Sequence, residues 1–212
     1  MAARERPIPL KAHEVRGILE GRQSQVRRVV KDIIWDAYEG PYRMRLTPED
    51  HKGDDVRDDF HDGRIRCPYG EPGDRLWVRE AWRTEIRNDY IAPRDLRPQS
   101  AVYYEAGGGG EEEIPACAGK LRPSIHMPRW ASRIDLEVIG VRVERLQDIS
   151  DEDCWAEAPP GLSYPIRSPS DFAVTEGGRQ RCYQRLWESI NGPGSWDANP
   201  WVWVVEFKRI RL

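Results

Sequence analysis

Arg133-Ile134-Asp135-Leu136-Glu137-Val138-Ile139-Gly140-Val141-Arg142-Val143-Glu144-Arg145-Leu146 reads as one long strand with a fault in it. Ile134, Leu136 and Val138 alternate with Asp135 and Glu137, the period of a strand that has one face in a core. Gly140 breaks the phase, and Val141 and Val143 resume it, so a β-bulge is expected at Gly140. Downstream, Ser150 is placed to cap a short helix, with Asp151 and Glu152 in its first turn and Asp153 at the capping-box position. A second helix is expected over 178–190, where Tyr183, Leu186, Trp187 and Ile190 share one face. After the turn-rich stretch 191–200, residues 201–210 form a last strand. It opens apolar on both faces and becomes polar at Glu206 and Lys208, as suits a central strand.

Upstream, Pro72-Gly73-Asp74 is a turn signal, because proline presets one turn position and glycine admits positive φ at the next. Leu76-Trp77-Val78 follows as a strand, 88–99 as a loop and 101–105 as a short strand. Nearer the N-terminus, 11–20 predicts a helix with Val15, Ile18 and Leu19 on its apolar stripe and Gly21 as its left-handed stop. Residues 26–34 are β-branched and extended. Two polar, Gly- and Pro-containing stretches, near 38–66 and 158–176, read as loop insertions. About five to six strands with short flanking helices and no regular βαβ alternation point to an α+β chain, a small, partly closed mixed barrel rather than a doubly wound sheet.

The 212 residues suit a single domain able to bury a core without staples. Charged residues make up 33% and hydrophobic ones 39%, and no apolar run reaches the length of a membrane span. Residues 1–6 lack an apolar core of the signal-peptide kind, so the expected location is cytoplasmic. Cys67, Cys117, Cys154 and Cys182 form no CxxC pair, and neither a disulfide nor a metal site is expected of them. No GxGxxG or GK[ST] pattern occurs, so no dinucleotide cofactor, and no cofactor of any kind, is expected. The net charge of −3 hides local clusters of cations, among them Arg22, Arg27, Arg28 and Lys31, then Arg75, Arg79 and Arg83, then Arg129 and Arg133.

Four blocks together resemble a known family. Gly21-Arg22-Gln23-Ser24-Gln25-Val26-Arg27-Arg28 after the first helix is similar to the G-[KR]-K-T-x-T-x-R signature of ASCH domains. Cys67-Pro68-Tyr69-Gly70, continued by the run from Pro72 to Glu80, resembles the second block of that family's phage and prophage branch. The run from Arg122 to Arg133 resembles a third, and Leu146-Gln147-Asp148-Ile149-Ser150 through Glu157, with the closing Asn199-Pro200-Trp201-Val202-Trp203, completes the likeness. The resemblance implies a PUA-like barrel over the whole of 1–212, and a ligand such as RNA, single-stranded nucleic acid or a modified nucleoside.

One branch of that family hydrolyses N-acetylated cytidine with a lysine, a threonine and a glutamate. Those positions fall here on Gln23, Val26 and Glu157, so only the carboxylate is kept. Glutamine does not titrate and valine has no hydroxyl, so Glu157 is the one catalytic candidate and it lacks partners. What remains is a set of binding candidates. Arg28 matches the family arginine, and its planar fork suits phosphate or a base edge. Arg22, Arg27 and Lys31 could track a backbone, with Gln23 and Ser24 in the turn between them. Arg79 and Arg129 add charge beside Trp82 and Trp130, which suit either base stacking or cation–π packing. The expectation is a binding module for nucleic acid or a nucleoside. The alternatives are a hydrolase, either an amidohydrolase or a ribonuclease, and a protein-binding accessory factor.

Overall fold

The computed structural model describes residues 3–30, 67–107, 114–157 and 178–210. Lys31 and both expected insertions, 38–66 and 158–176, lie outside the described residues.

The long strand forms as its pattern dictates. It is β6, Asp135–Arg145 in a chain order that runs β1 (Glu5–Pro9), α1 (Ala12–Leu19), β2 (Gln25–Val29), β3 (Arg75–Arg79), β4 (Trp82–Arg83), β5 (Tyr103–Tyr104), β6, α2 (Asp151–Glu157), α3 (Gly178–Asn191) and β7 (Trp201–Ile210). β6 pairs antiparallel with β7 along its whole length, with the register shift between Val138 and Gly140. A Cβ at Gly140 would lie 2.6 Å from a Glu206 carboxylate oxygen, so a larger residue at the bulge would make that side chain shift.

Five strands make one mixed sheet in the order β1-β3-β6-β7-β2. β7 is buried on both faces. Trp203, Val205 and Phe207 join the main core with Ile8, Val15, Ile18, Leu76 and Leu136. Val202 and Val204 pack instead with Leu146, Cys154, Tyr183 and Trp187 beneath α2 and α3. The first helix therefore covers one face of the sheet and the later two cover the other. Ile8 from one edge strand and Val26 from the other belong to the same core. Among the described residues no ladder joins β1 to β2, so the sheet remains open.

The sequence reading did not anticipate β1, because Pro7 and Pro9 disfavour a strand. The reason they are tolerated is geometric. β1 lies at the sheet edge, parallel to β3. Arg4 accepts a backbone hydrogen bond from Arg75, and Leu10 donates one to Arg79, so the even-numbered residues face β3. The prolines point their missing N–H groups outward, where no partner is required. The expected turn holds this edge in place. Gly73 has φ of 93°, and the Asp74 carboxylate accepts from the backbone N–H groups of Arg4 at 2.9 Å and Glu71 at 3.1 Å.

The expected strand over 101–105 contracts to two residues paired with β4, above a separate cluster of Trp82, Leu96, Met127 and Ala131. Ser150 caps α2 as expected, its hydroxyl accepting from the Asp153 N–H at 3.1 Å. Among the described residues no helix is long and apolar enough to cross a membrane.

Candidate ligand cavity

The end of α1 sets the site. Gly21 takes φ of 72°, its N–H bonds to the Ile18 carbonyl, and the Arg22 N–H bonds to Gly17. This is a Schellman stop that throws the chain directly into β2. Among the described residues β2 has β7 on one side and no strand on the other. Ser24 accepts from Phe207, and Val30 donates to Trp201, so the even residues of β2 serve the ladder. Residues 25, 27 and 29 turn their backbone groups to the free edge.

Side chains satisfy that edge. The Glu157 carboxylate accepts the Arg27 N–H at 3.1 Å. Gln23 donates its side-chain amide to the Gln25 carbonyl at 3.1 Å, and Arg28 donates to the Arg27 carbonyl at 2.9 Å. Glu157 is nearly inaccessible, at 6% exposure. One of its oxygens accepts from Gln25 and from the Arg27 guanidinium, and the other from the Arg27 backbone and the Tyr183 hydroxyl at 2.8 Å. Burial pushes this carboxyl up, against the pull of Arg27 and the Tyr183 hydrogen bond.

Arg27 has no exposed side-chain surface and reaches Glu157, Glu144 and Asp153 at once. Burial works to lower it, but Glu157 and the hydrogen bonds to Glu144 and Asp153 more than reverse that, so it is raised and stays a cation. Arg142 extends the network to Glu144, Asp153 and Glu206. Arg28 forks onto Glu14 of α1 at 3.0 and 3.2 Å and donates to the Pro9 carbonyl at 3.2 Å. That last bond ties one sheet edge to the other. His13 is lowered chiefly by burial and, secondarily, by Arg16 and Arg28, although Glu14 pulls the other way. Its imidazole is therefore neutral around neutral pH.

These groups border a cavity of about 310 Å³ between the start of α1, β2, Glu157 and the apolar face of α3. That is the small end of the roughly 300–1,000 Å³ range of small-molecule sites. Gln23, Arg27, Arg28 and Glu157, four of the residues singled out in the sequence, line it together. The others lie elsewhere. Arg22 pairs with Glu20 at the surface. Ser24 is exposed and serves through its backbone, donating to Ala156 and accepting from Phe207. Arg79 and Arg129 both lie against the Trp77 ring, and Arg129 also pairs with Glu5 and Asp135. Trp82 is fully buried, edge-on to half-buried Trp130, so neither of its faces is open to a base.

Sequence reasoning missed His13, Glu14, Tyr183 and Trp187 as lining groups. Tyr183, Leu186, Trp187 and Ile190 did stand out as one helical face. Nothing in that pattern separates a face that covers a core from one that also borders a cavity.

No family model matches the chain, and neither a curated protein nor a solved structure matches it.

Proposed function

We propose that this chain is an ASCH-type protein with a PUA-like fold, and that the cavity binds a nucleoside, free or as an unpaired residue of RNA. The observation that carries this reading is convergence. Glu157 of α2 is 130 residues from Arg27 in the chain, yet it meets Gln23, Arg27 and Arg28, from the turn after α1 and the strand that follows it, at one cavity of about 310 Å³. Gln23, Arg28 and Glu157 are positions that the family resemblance puts at its nucleoside site. The PUA-like reading draws support from Ile8 and Val26, which share a core although their strands are opposite edges of the sheet. Arg28→Pro9 is a single-bond tie across the same gap.

An amidohydrolase draws less support. Val26 is turned into the main core, Gln23 cannot titrate, and both oxygens of Glu157 already accept two donors each. A carboxylate so engaged holds Arg27 and β2 in place and has little capacity left to activate water.

Calorimetric titration with nucleosides and with a short unpaired oligoribonucleotide tests the proposal. Binding is expected, with the RNA recovered intact. Arg28→Ala is expected to weaken it by about tenfold, because Arg28 lines the cavity and its bonds to Glu14 and the Pro9 carbonyl hold that wall together. Absence of binding by every nucleoside and by RNA at low salt would overturn it.

A further inference from the structure

The arginines expected to meet a phosphate are already engaged. Arg27 sends its terminal nitrogens to Glu157, Glu144 and Asp153, and its Nε is buried. Arg28 is committed to Glu14 and to the carbonyls of Pro9 and Arg27. The charged residues that line the cavity therefore cancel as two pairs, Arg27 with Glu157 and Arg28 with Glu14, and Lys11 is left over. Lys11 is exposed and forms no ion pair among the described residues. Its backbone N–H is taken by the Glu14 carboxylate at 2.6 Å. The lysine ammonium, not the start of the helix, is thus what the cavity offers an anion.

Other accessible groups of the lining agree with it. Ser124 and His13 are half-buried, and neither side chain makes a hydrogen bond among the described residues. Beyond Ser124 the cationic character continues. Arg79 donates to the Ile125 carbonyl at 3.3 Å, its own carbonyl accepts from Leu10 at 2.9 Å, and it forms no ion pair among the described residues. The rest of the accessible lining is largely apolar. Val29 is 39% exposed and Ile190 is 38% exposed, and half-buried Leu186 borders the cavity with them. A ligand with a phosphate at one end and a ring at the other matches both kinds of surface.

We infer that the ligand is held by a phosphate at the mouth of the cavity, with Lys11 as its counter-ion and the Ser124 hydroxyl as a donor to it. Its ribose and base lie against Val29, Leu186 and Ile190. Lysine meets phosphate as a point charge, and the hydroxyl adds direction. This rests on the nucleoside reading above and adds to it the charged group that the site recognises and the residues that recognise it. The phosphate is that of a free nucleotide or of an RNA chain.

The test is calorimetric titration of the full chain at about 50 mM and about 500 mM salt. The titrants are the four ribonucleosides, their 5′- and 3′-monophosphates, and a short unpaired oligoribonucleotide without terminal phosphates. A phosphate-bearing ligand is expected to bind at least about tenfold more tightly than its nucleoside at the lower salt, with the gap narrowing at the higher. Lys11→Met keeps the backbone N–H that closes onto Glu14 and is expected to remove the gap while leaving nucleoside affinity unchanged. Ser124→Ala is expected to narrow it by about threefold. Lys120→Met removes an exposed lysine outside the lining and is expected to keep it. All three variants are checked for an unaltered circular dichroism spectrum. Equal binding of nucleoside and phosphate-bearing ligand overturns the inference. So does a Lys11→Met variant that weakens both alike, or a loss as large in Lys120→Met, and each of these leaves the nucleoside reading standing. A gap confined to the monophosphates and lost in Lys11→Met assigns the site to a free nucleotide. One confined to the oligoribonucleotide and lost in the same variant assigns it to a chain, and either supports the inference. If no nucleoside, nucleotide or RNA binds, both readings fail together.

Discussion

Arg27 has no exposed side-chain surface and still keeps its charge, because Glu157, Glu144 and Asp153 surround it. Removing one member of such a buried group leaves the others uncompensated. Arg27→Met is expected to destabilise the chain by about 3–5 kcal/mol, read from urea unfolding. The loss has a sign with pH. Glu157 is raised by burial even with its cation present, so its contribution is present below its ordinary value and fades as pH rises through the raised one. Without Arg27 it rises further, so the deficit is expected to be smaller at about pH 5 than at about pH 8. An equal deficit at both would show that Glu157 is not the group left stranded. Arg27, Arg28 and Glu157 were legible as residues in the sequence. Their pairing was not, since Asp153 read only as a helix-start acid and Glu14 did not stand out, and nothing in a linear pattern tells which carboxylate a distant arginine will reach.

Gly17 lies inside α1, where glycine is worse than alanine by about 1 kcal/mol. A Cβ there would lie 2.9 Å from the Gln23 side-chain oxygen and 3.0 Å from the Gln23 Cβ. The helix therefore carries a weak residue so that the following turn can fold Gln23 back against it. Gly17→Ala is expected to miss the roughly 1 kcal/mol gain of helix propensity, and Gly17→Ala is expected to recover it in a Gln23→Gly background, where both contacting atoms are gone. A thermal unfolding cycle over the four chains measures the coupling, and simple additivity would refute the contact. At this scale the sequence was most readable where a pattern runs long. β6 and its bulge, β7, α3 and the Ser150 cap all stand where periodicity put them. β1 and β4 escaped it. A five-residue edge strand with two prolines has one buried side chain to announce it, Ile8, and a two-residue strand has no period at all.

Across the whole molecule, β7 joins the two layers, with α1 and the main core on one face and α2 and α3 on the other. Phe207, 2% exposed, is expected to cost about 3–5 kcal/mol as Phe207→Ala. Ile139, half exposed on neighbouring β6, is expected to cost under about 1 kcal/mol as Ile139→Ala. Urea midpoints of the two variants make the comparison, and similar losses would mean that the core is not organised around β7. The sheet order also denies β1 and β2 each other as ladder partners although α1 joins them in the chain, since they occupy opposite edges. Among the described residues β2 has a single ladder neighbour, β7. During synthesis on a ribosome, the early segment that carries Gln23, Arg27 and Arg28 must wait unpaired until β7 has emerged. The cavity wall that β2 supplies is thus set only once β7 is available to it, although Gln23, Arg27 and Arg28 are made well before that strand.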